Sequence, residues 1–181
     1  MLLASVTKAD IQPMPEYFDR YINLTEDVDL DSAFSTSIKQ IWSLDVKTLD
    51  KLALKTYAPG KWTVNEILQH IADTERLLAA GVIRFARNQS DYTISFNEEE
   101  MASAAQANKK PVEHILQELI DVRKATWALY RNLDESDFTK IGINWKYEIS
   151  VAAMGFNIIG HQMHHLNIIS EKYHPLLQAT G

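Results

Sequence analysis

Six residues near the end of the chain, Gly160-His161-Gln162-Met163-His164-His165, concentrate more potential chemistry than any other stretch. On an α-helix they place three imidazoles within about one and a half turns. His161 and His165 are four residues apart, so both project from one face and can grip one metal ion together. His70 lies on a separate helical segment, again with apolar neighbours. Two ligands from one helix and one from another make the minimum of a catalytic-type metal site, with three protein ligands and positions left open.

His164 is three from His161 and meets the spacing as well. The companions favour His165, which falls in line with Ile158 and Ile169, whereas His164 lies nearer the Asn157 edge. A lone imidazole at the edge of an apolar face is ordinarily a hydrogen-bonded core residue. Two on one inward stripe differ, because burying both costs free energy unless each finds a partner, and one metal supplies both. The donor set suits one divalent transition metal, Zn²⁺ or Ni²⁺ foremost. Asp73, one turn beyond His70, is placed to orient a ligand or to act as a base through bound water, with Glu75 the alternative base. The plainer reading puts Asp73, Glu75 and Arg76 together on a solvated, charged helix face. Arg123 has no acidic residue three or four positions away, so its partner is expected on another segment. His114 and His174 read as surface residues.

The elements that must position these side chains are helical. Leu30, Phe34, Ile38 and Ile41 hold one helical stripe, and Asp45 caps a second short helix through Leu52. Pro59-Gly60 is a turn. Thr63 and Glu66 have the spacing of a capping box, with Trp62 and Ile67 at staple positions, and open a long helix through Phe85 that carries His70. Residues 89–109 lose the period, and Glu98-Glu99-Glu100 reads as a solvated acidic patch. A connection of about 20 residues is long for a compact domain and is expected to be functional or to hold short helices. Pro111 opens the next helix, to about Leu133. Residues 133–149 are polar and β-tinged, a loop or small extended excursion. Ser150 caps the last helix, which His174-Pro175 ends. Trp42, Trp62, Trp127 and Trp145 read as core and lid residues. Four long apolar-striped helices without sustained strand alternation predict an all-α helical bundle.

Composition narrows the function. The 181 residues suffice for one domain, and no Gly/Ser/Pro-rich linker divides residues 1–181. A net charge of -6 with no basic block argues against nucleic acid as a partner. The absence of Cys rules out disulfides and thiolate-bound zinc and is compatible with a cytoplasmic location. Met1 to Thr7 has no basic region ahead of it, and Asp10 interrupts any apolar signal segment. No run approaches the roughly 18 apolar residues of a membrane span, so no membrane partner is expected.

Two groups of residues resemble the signatures of a known family. Pro59-Gly60-Lys61-Trp62-Thr63, Glu66-Ile67-Leu68-Gln69-His70 and Asp73-Thr74-Glu75-Arg76 resemble the first signature of the DinB-like family. Gly160-His161-Gln162-Met163-His164-His165 resembles the second, and the resemblance covers residues 30–174. It implies a four-helix bundle with a long crossover between the second and third helices. It also implies one divalent metal on His70, His161 and His165, with His164 outside the set, and pairing as a homodimer. The activity it implies is that of a metal-dependent hydrolase or thiol-dependent S-transferase acting on a small molecule. A low-molecular-weight thiol is the implied cosubstrate of the second. This chain departs from the pattern after the last histidine, where Leu166-Asn167-Ile168 stands in place of Arg-Gly-Gln. The alternatives to an enzyme are a bundle that binds a small molecule without turnover and a scaffold in which the histidines satisfy one another.

Overall fold

The computed structural model describes residues 2–178. Met1 and residues 179–181, the ends of the expected 1–181 domain, lie outside the described residues. The bundle is made by α2 (Leu30–Trp42), α4 (Val64–Ala86), α6 (Val112–Arg131) and α7 (Val151–Ile168). Shorter helices α1 (Asp19–Ile22), α3 (Val46–Leu52) and α5 (Glu98–Ala104) precede or link them. Around the ring α2 packs on α6 and α7, and α4 packs on the same two helices. The connection from α4 to α6 is the long crossover.

Local chemistry sets these boundaries. The Asp29 carboxylate accepts from the Ser32 amide at 2.9 Å and Asp45 accepts from the Lys47 amide at 3.0 Å, so each starts a helix. Thr63 and Glu66 form the expected capping box, with bonds of 3.2 and 2.8 Å. Ser150 Oγ accepts from the Ala153 amide at 3.2 Å to open α7. Every residue from Val151 to Gln162 is buried, so the first part of α7 is enclosed by neighbouring elements around its whole circumference.

The crossover holds more structure than its polar composition suggests. Asn97 accepts from the Glu99 and Glu100 amides at 3.2 Å each, turning the acidic run into the first turn of α5. Before it, β1 (Thr93–Ile94) pairs parallel with β2 (Ile141–Asn144), which pairs antiparallel with β3 (Tyr147–Ser150). The β-tinged stretch is thus a hairpin that closes on the crossover and leads into the cap of α7.

Two apolar clusters fill the interior. One gathers α1, α2, the first part of α7 and the end of α4 around Phe34, Phe85, Tyr130 and Phe156. The other gathers α3 and the starts of α4 and α6 with Ile169 and Tyr173. His70 follows Ile67 and Leu68 of the second cluster and precedes Leu78 of the first. His161 follows Ile158 and Ile159 of the first cluster, and His165 precedes Ile169 of the second. The histidines therefore stand on the seam. Trp42 departs from the expected core role: it is 61% exposed at the end of α2, with Lys124 Nζ 5.5 Å from its ring centre.

Candidate metal centre

Helical periodicity on α7 stacks Asn157, His161 and His165 one turn apart on one face, and α4 brings His70 to meet them. His161 Nε2 lies 3.2 Å from His70 Nε2 and 3.1 Å from His165 Nε2. The ligand atoms of all three lie within 4.8 Å of one another, a grouping that could hold a metal ion. His70 and His161 are buried and His165 is half-buried. On the far side of the His70 ring, Nδ1 is 3.3 Å from Thr74 Oγ1, one turn along α4. Trp62 packs against the same ring at 4.7 Å.

Gly160 explains how α1 reaches the site. A Cβ at that position would collide with the Tyr21 carbonyl, so only glycine lets α1 lie directly on α7 there. Tyr21 then meets the His161 and His164 rings edge-on at 5.5 and 5.2 Å.

Electrostatics keep the imidazoles neutral. Burial lowers the His70 pKa to about 4. Burial, and then the proximity of His165 and His70, holds His161 well below its ordinary value. His165 moves the same way through burial and its neighbours His70 and His164. Neutral imidazole is the form that binds metal.

The arrangement fits a shared cation better than mutual hydrogen bonding. A neutral ring nitrogen carries either one proton or one lone pair, so His161 Nε2 cannot satisfy two approaching Nε2 atoms with like roles. Two imidazole nitrogens about 2.0–2.1 Å from a tetrahedral zinc ion stand roughly 3.3 Å apart, close to the 3.1 and 3.2 Å here.

The centre opens on two cavities. The larger, about 500 Å³, is bordered by His161, Thr74, Tyr21, Trp145, Asn144 and Asn157. The smaller, about 180 Å³, is bordered by His165, Trp62, Lys61 and Tyr57. Glu99 borders both, and its carboxylate accepts from Trp62 Nε1 at 2.9 Å.

The other candidates from the sequence lie elsewhere. The Asp73 carboxylate accepts from Gln69 and Arg76, at 3.1 Å each, in a polar seam with Glu118 of α6. Glu75 is not on a solvated face: it is 2% exposed and receives three hydrogen bonds of 2.8–3.0 Å from Arg123. Arg123 thus finds its partner on another segment, as its spacing requires. His114 and His174 are exposed, and His164 stands outside the three-nitrogen group. Reasoning from sequence passed over Thr74, Tyr21, Glu99, Asn144 and Asn157. Thr74 is four residues after His70 and Asn157 four before His161, so helical spacing carried a signal for those two. The others arrive through tertiary packing.

Comparison with known proteins agrees with this architecture. A curated protein of Oceanobacillus iheyensis, named "Putative metal-dependent hydrolase OB0413", is 26% identical over 118 residues, which is 65% of this chain and 68% of that one. Among solved structures, YfiT from Bacillus subtilis superposes with a TM-score of 0.63 at 20% identity, covering 89% of this chain and 88% of its own. It is described as a probable metal-dependent hydrolase with an unusual four-helix bundle topology. At that identity the superposition speaks for the fold. A family model described as the DinB superfamily matches residues 3–169. That span takes in all four bundle helices and all three histidines, and on it the chain belongs to the DinB superfamily.

Proposed function

We propose that His70, His161 and His165 bind one divalent transition metal and that the protein is a metal-dependent hydrolase acting on a small molecule. The observation that carries this reading is the convergence of three neutral, largely buried imidazoles, of which His161 borders a cavity of about 500 Å³ and His165 one of about 180 Å³. The names of its relatives point the same way. When bound by three histidines with a position left open, such a metal supplies a Lewis acid that lowers the pKa of bound water towards neutrality.

The chain's own residues do the rest. Thr74 orients the His70 ring through Nδ1. Glu99, held by Trp62, is the carboxylate that borders both cavities, and we assign it the proton-accepting role ahead of Asp73, which is bound to Arg76 and Gln69. A second reading, transfer to a low-molecular-weight thiol, is favoured by the separate cavity of about 180 Å³ beside His165, which would give each substrate its own chamber. Residues 1–181 are read as one domain, in a cytoplasmic homodimer.

Metal content measured by elemental mass spectrometry, on untagged protein and on His161→Ala, tests the proposal. We expect about one equivalent of Zn or Ni in the first and its loss in the second. Added Zn²⁺ should also raise the melting temperature of the unsubstituted protein, because a ligand that binds the native state stabilises it. No uptake, and identical melting with and without either ion, would overturn the reading in favour of a scaffold.

A further inference from the structure

The larger cavity has polar groups that the metal centre does not use. Asn157 is 2% exposed, and among the described residues its Nδ2 meets the Met154 sulfur alone, at 3.8 Å, while Oδ1 has no partner. Asn144, 5% exposed, makes the same kind of contact, its Nδ2 at 3.9 Å from that sulfur. Both border the cavity. A thioether is a weak acceptor, so two carboxamides meet on one sulfur, each amide group poorly spent and the Asn157 oxygen unpartnered. Buried polar groups left in that state cost free energy and call for an explanation.

The walls around them are flat and apolar. Tyr17 and Trp145, at φ 70° and 58°, both adopt the left-handed conformation that bulky residues rarely take. Their rings meet at 5.3 Å, and Tyr17 stacks on Tyr147 at 5.6 Å with planes 9° apart. Strained backbone of this kind persists only where surrounding structure enforces it, and it clusters at binding sites. Among the described residues no Lys or Arg lines the cavity itself, whereas Glu98 and Glu99 do, and Arg20 packs on the Tyr17 and Tyr21 rings.

We propose that this cavity binds a neutral ligand with a flat, unsaturated body and an amide head, the amide N–H donating to Asn157 Oδ1 and its carbonyl accepting from Asn144 Nδ2. The terminal torsion of Asn is soft, so a small rotation turns the Asn157 carboxamide from Met154 towards the cavity. Asn157 is one turn, about 6 Å, before His161 on the same face of α7, so a bound amide head lies one turn from the proposed metal. Arg20, whose guanidinium lies 3.8 Å from the centre of the Tyr17 ring, partly offsets the charge of Glu98 and Glu99, and the near balance suits an uncharged ligand. The assignment rests on the reading of this cavity as the substrate chamber, and it makes Asn157 the residue that sets specificity.

Isothermal titration with 2-naphthamide and 2-acetylnaphthalene, in which a methyl group replaces the amide NH2 while the carbonyl and the flat body stay, tests it. The parent amide should bind about tenfold more tightly, the worth of one well-made hydrogen bond. In Asn157→Leu, which keeps the shape and removes the acceptor, the two should bind within about twofold of each other. In Asn144→Ala both should weaken alike, because both probes retain the carbonyl, and the preference should survive. Equal binding of the two probes by the unsubstituted protein, no binding of either, or a preference retained in Asn157→Leu would each overturn the proposal. Should Asn157→Leu lose its helical circular dichroism, the unsubstituted preference and the response of Asn144→Ala decide it. The readout is binding rather than turnover, so a protein that takes up no metal can still bind the amide, and the two readings fail separately.

Discussion

A histidine kept neutral by burial makes stability depend on pH, and the sign follows from where it protonates. His70 takes up its proton near pH 4 in the fold but near 6.5 in the unfolded chain. Between those values the unfolded state binds more protons, so stability is full above about pH 6.5 and falls as pH drops towards 4. A shift of this size is worth on the order of 3 kcal/mol. His161 and His165 are displaced in the same direction and steepen the loss. We therefore expect metal-free protein to lose urea stability steeply from pH 6.5 to 4, and a His70→Leu variant to show a shallower slope across that window. Equal slopes in the two proteins would show that His70 is not held neutral. Metal should shift the onset of the loss to lower pH, because protons and metal compete for the same nitrogens.

Single elements, read by themselves, were the most legible part of this chain. Thr63-Glu66, Asp29, Asp45 and Ser150 each carry a cap in their own side chain, and the stripes of the four long helices repeat at 3.6 residues. The histidine spacing survived translation into structure for the same reason: positions four apart on one helix have little freedom to diverge. What needed the folded chain was whatever depends on partners far along it. Glu75 sits in a charged run that reads as solvated, and only Arg123, 48 residues away, makes its burial tolerable. The acidic run 98–100 hides a helix whose place is set by a Trp62 bond spanning 37 residues. Within the crossover, β1 pairs with β2 from beyond α6, a partner that no local pattern announces. Gly160 shows the same limit, since nothing local marks it as the seat of α1. Gly→Ala inside a helix ordinarily gains up to about 1 kcal/mol. Here the new methyl meets the Tyr21 backbone, which cannot rotate aside as a side chain can. Gly160→Ala should cost about 2–3 kcal/mol in urea unfolding instead. It should also weaken metal retention, because Tyr21 backs His161. A stabilised variant would mean that α1 is not seated on α7 as described.

The whole molecule is two apolar clusters joined along a seam, and the seam is where the polar chemistry lies. The three histidines occupy one part of it, and the Arg123–Glu75 pair, 0% and 2% exposed, ties α6 to α4 within the bundle. Arg123 Nη1 has no hydrogen-bond partner among the described residues, and the guanidinium carbon is 6.0 Å from the centre of the Phe34 ring on α2. Three of the four bundle helices thus converge on one guanidinium. Taking two charges out of water costs several kcal/mol per ion, so this pair is not evidence of extra stability. Its burial does make each partner dependent on the other. Arg123→Met should strand the Glu75 carboxylate and cost about 3–5 kcal/mol, and Glu75→Leu should strand the guanidinium at a similar cost. The double variant removes both charges and fills the space with apolar atoms, so it should recover most of the loss. Recovery of stability need not bring recovery of the site, because the guanidinium also contributes to keeping His161 unprotonated. Denaturant titration of the two single variants and the double one gives the coupling directly. Additive losses would mean that the two charges are solvated independently and that the seam does not hold them together.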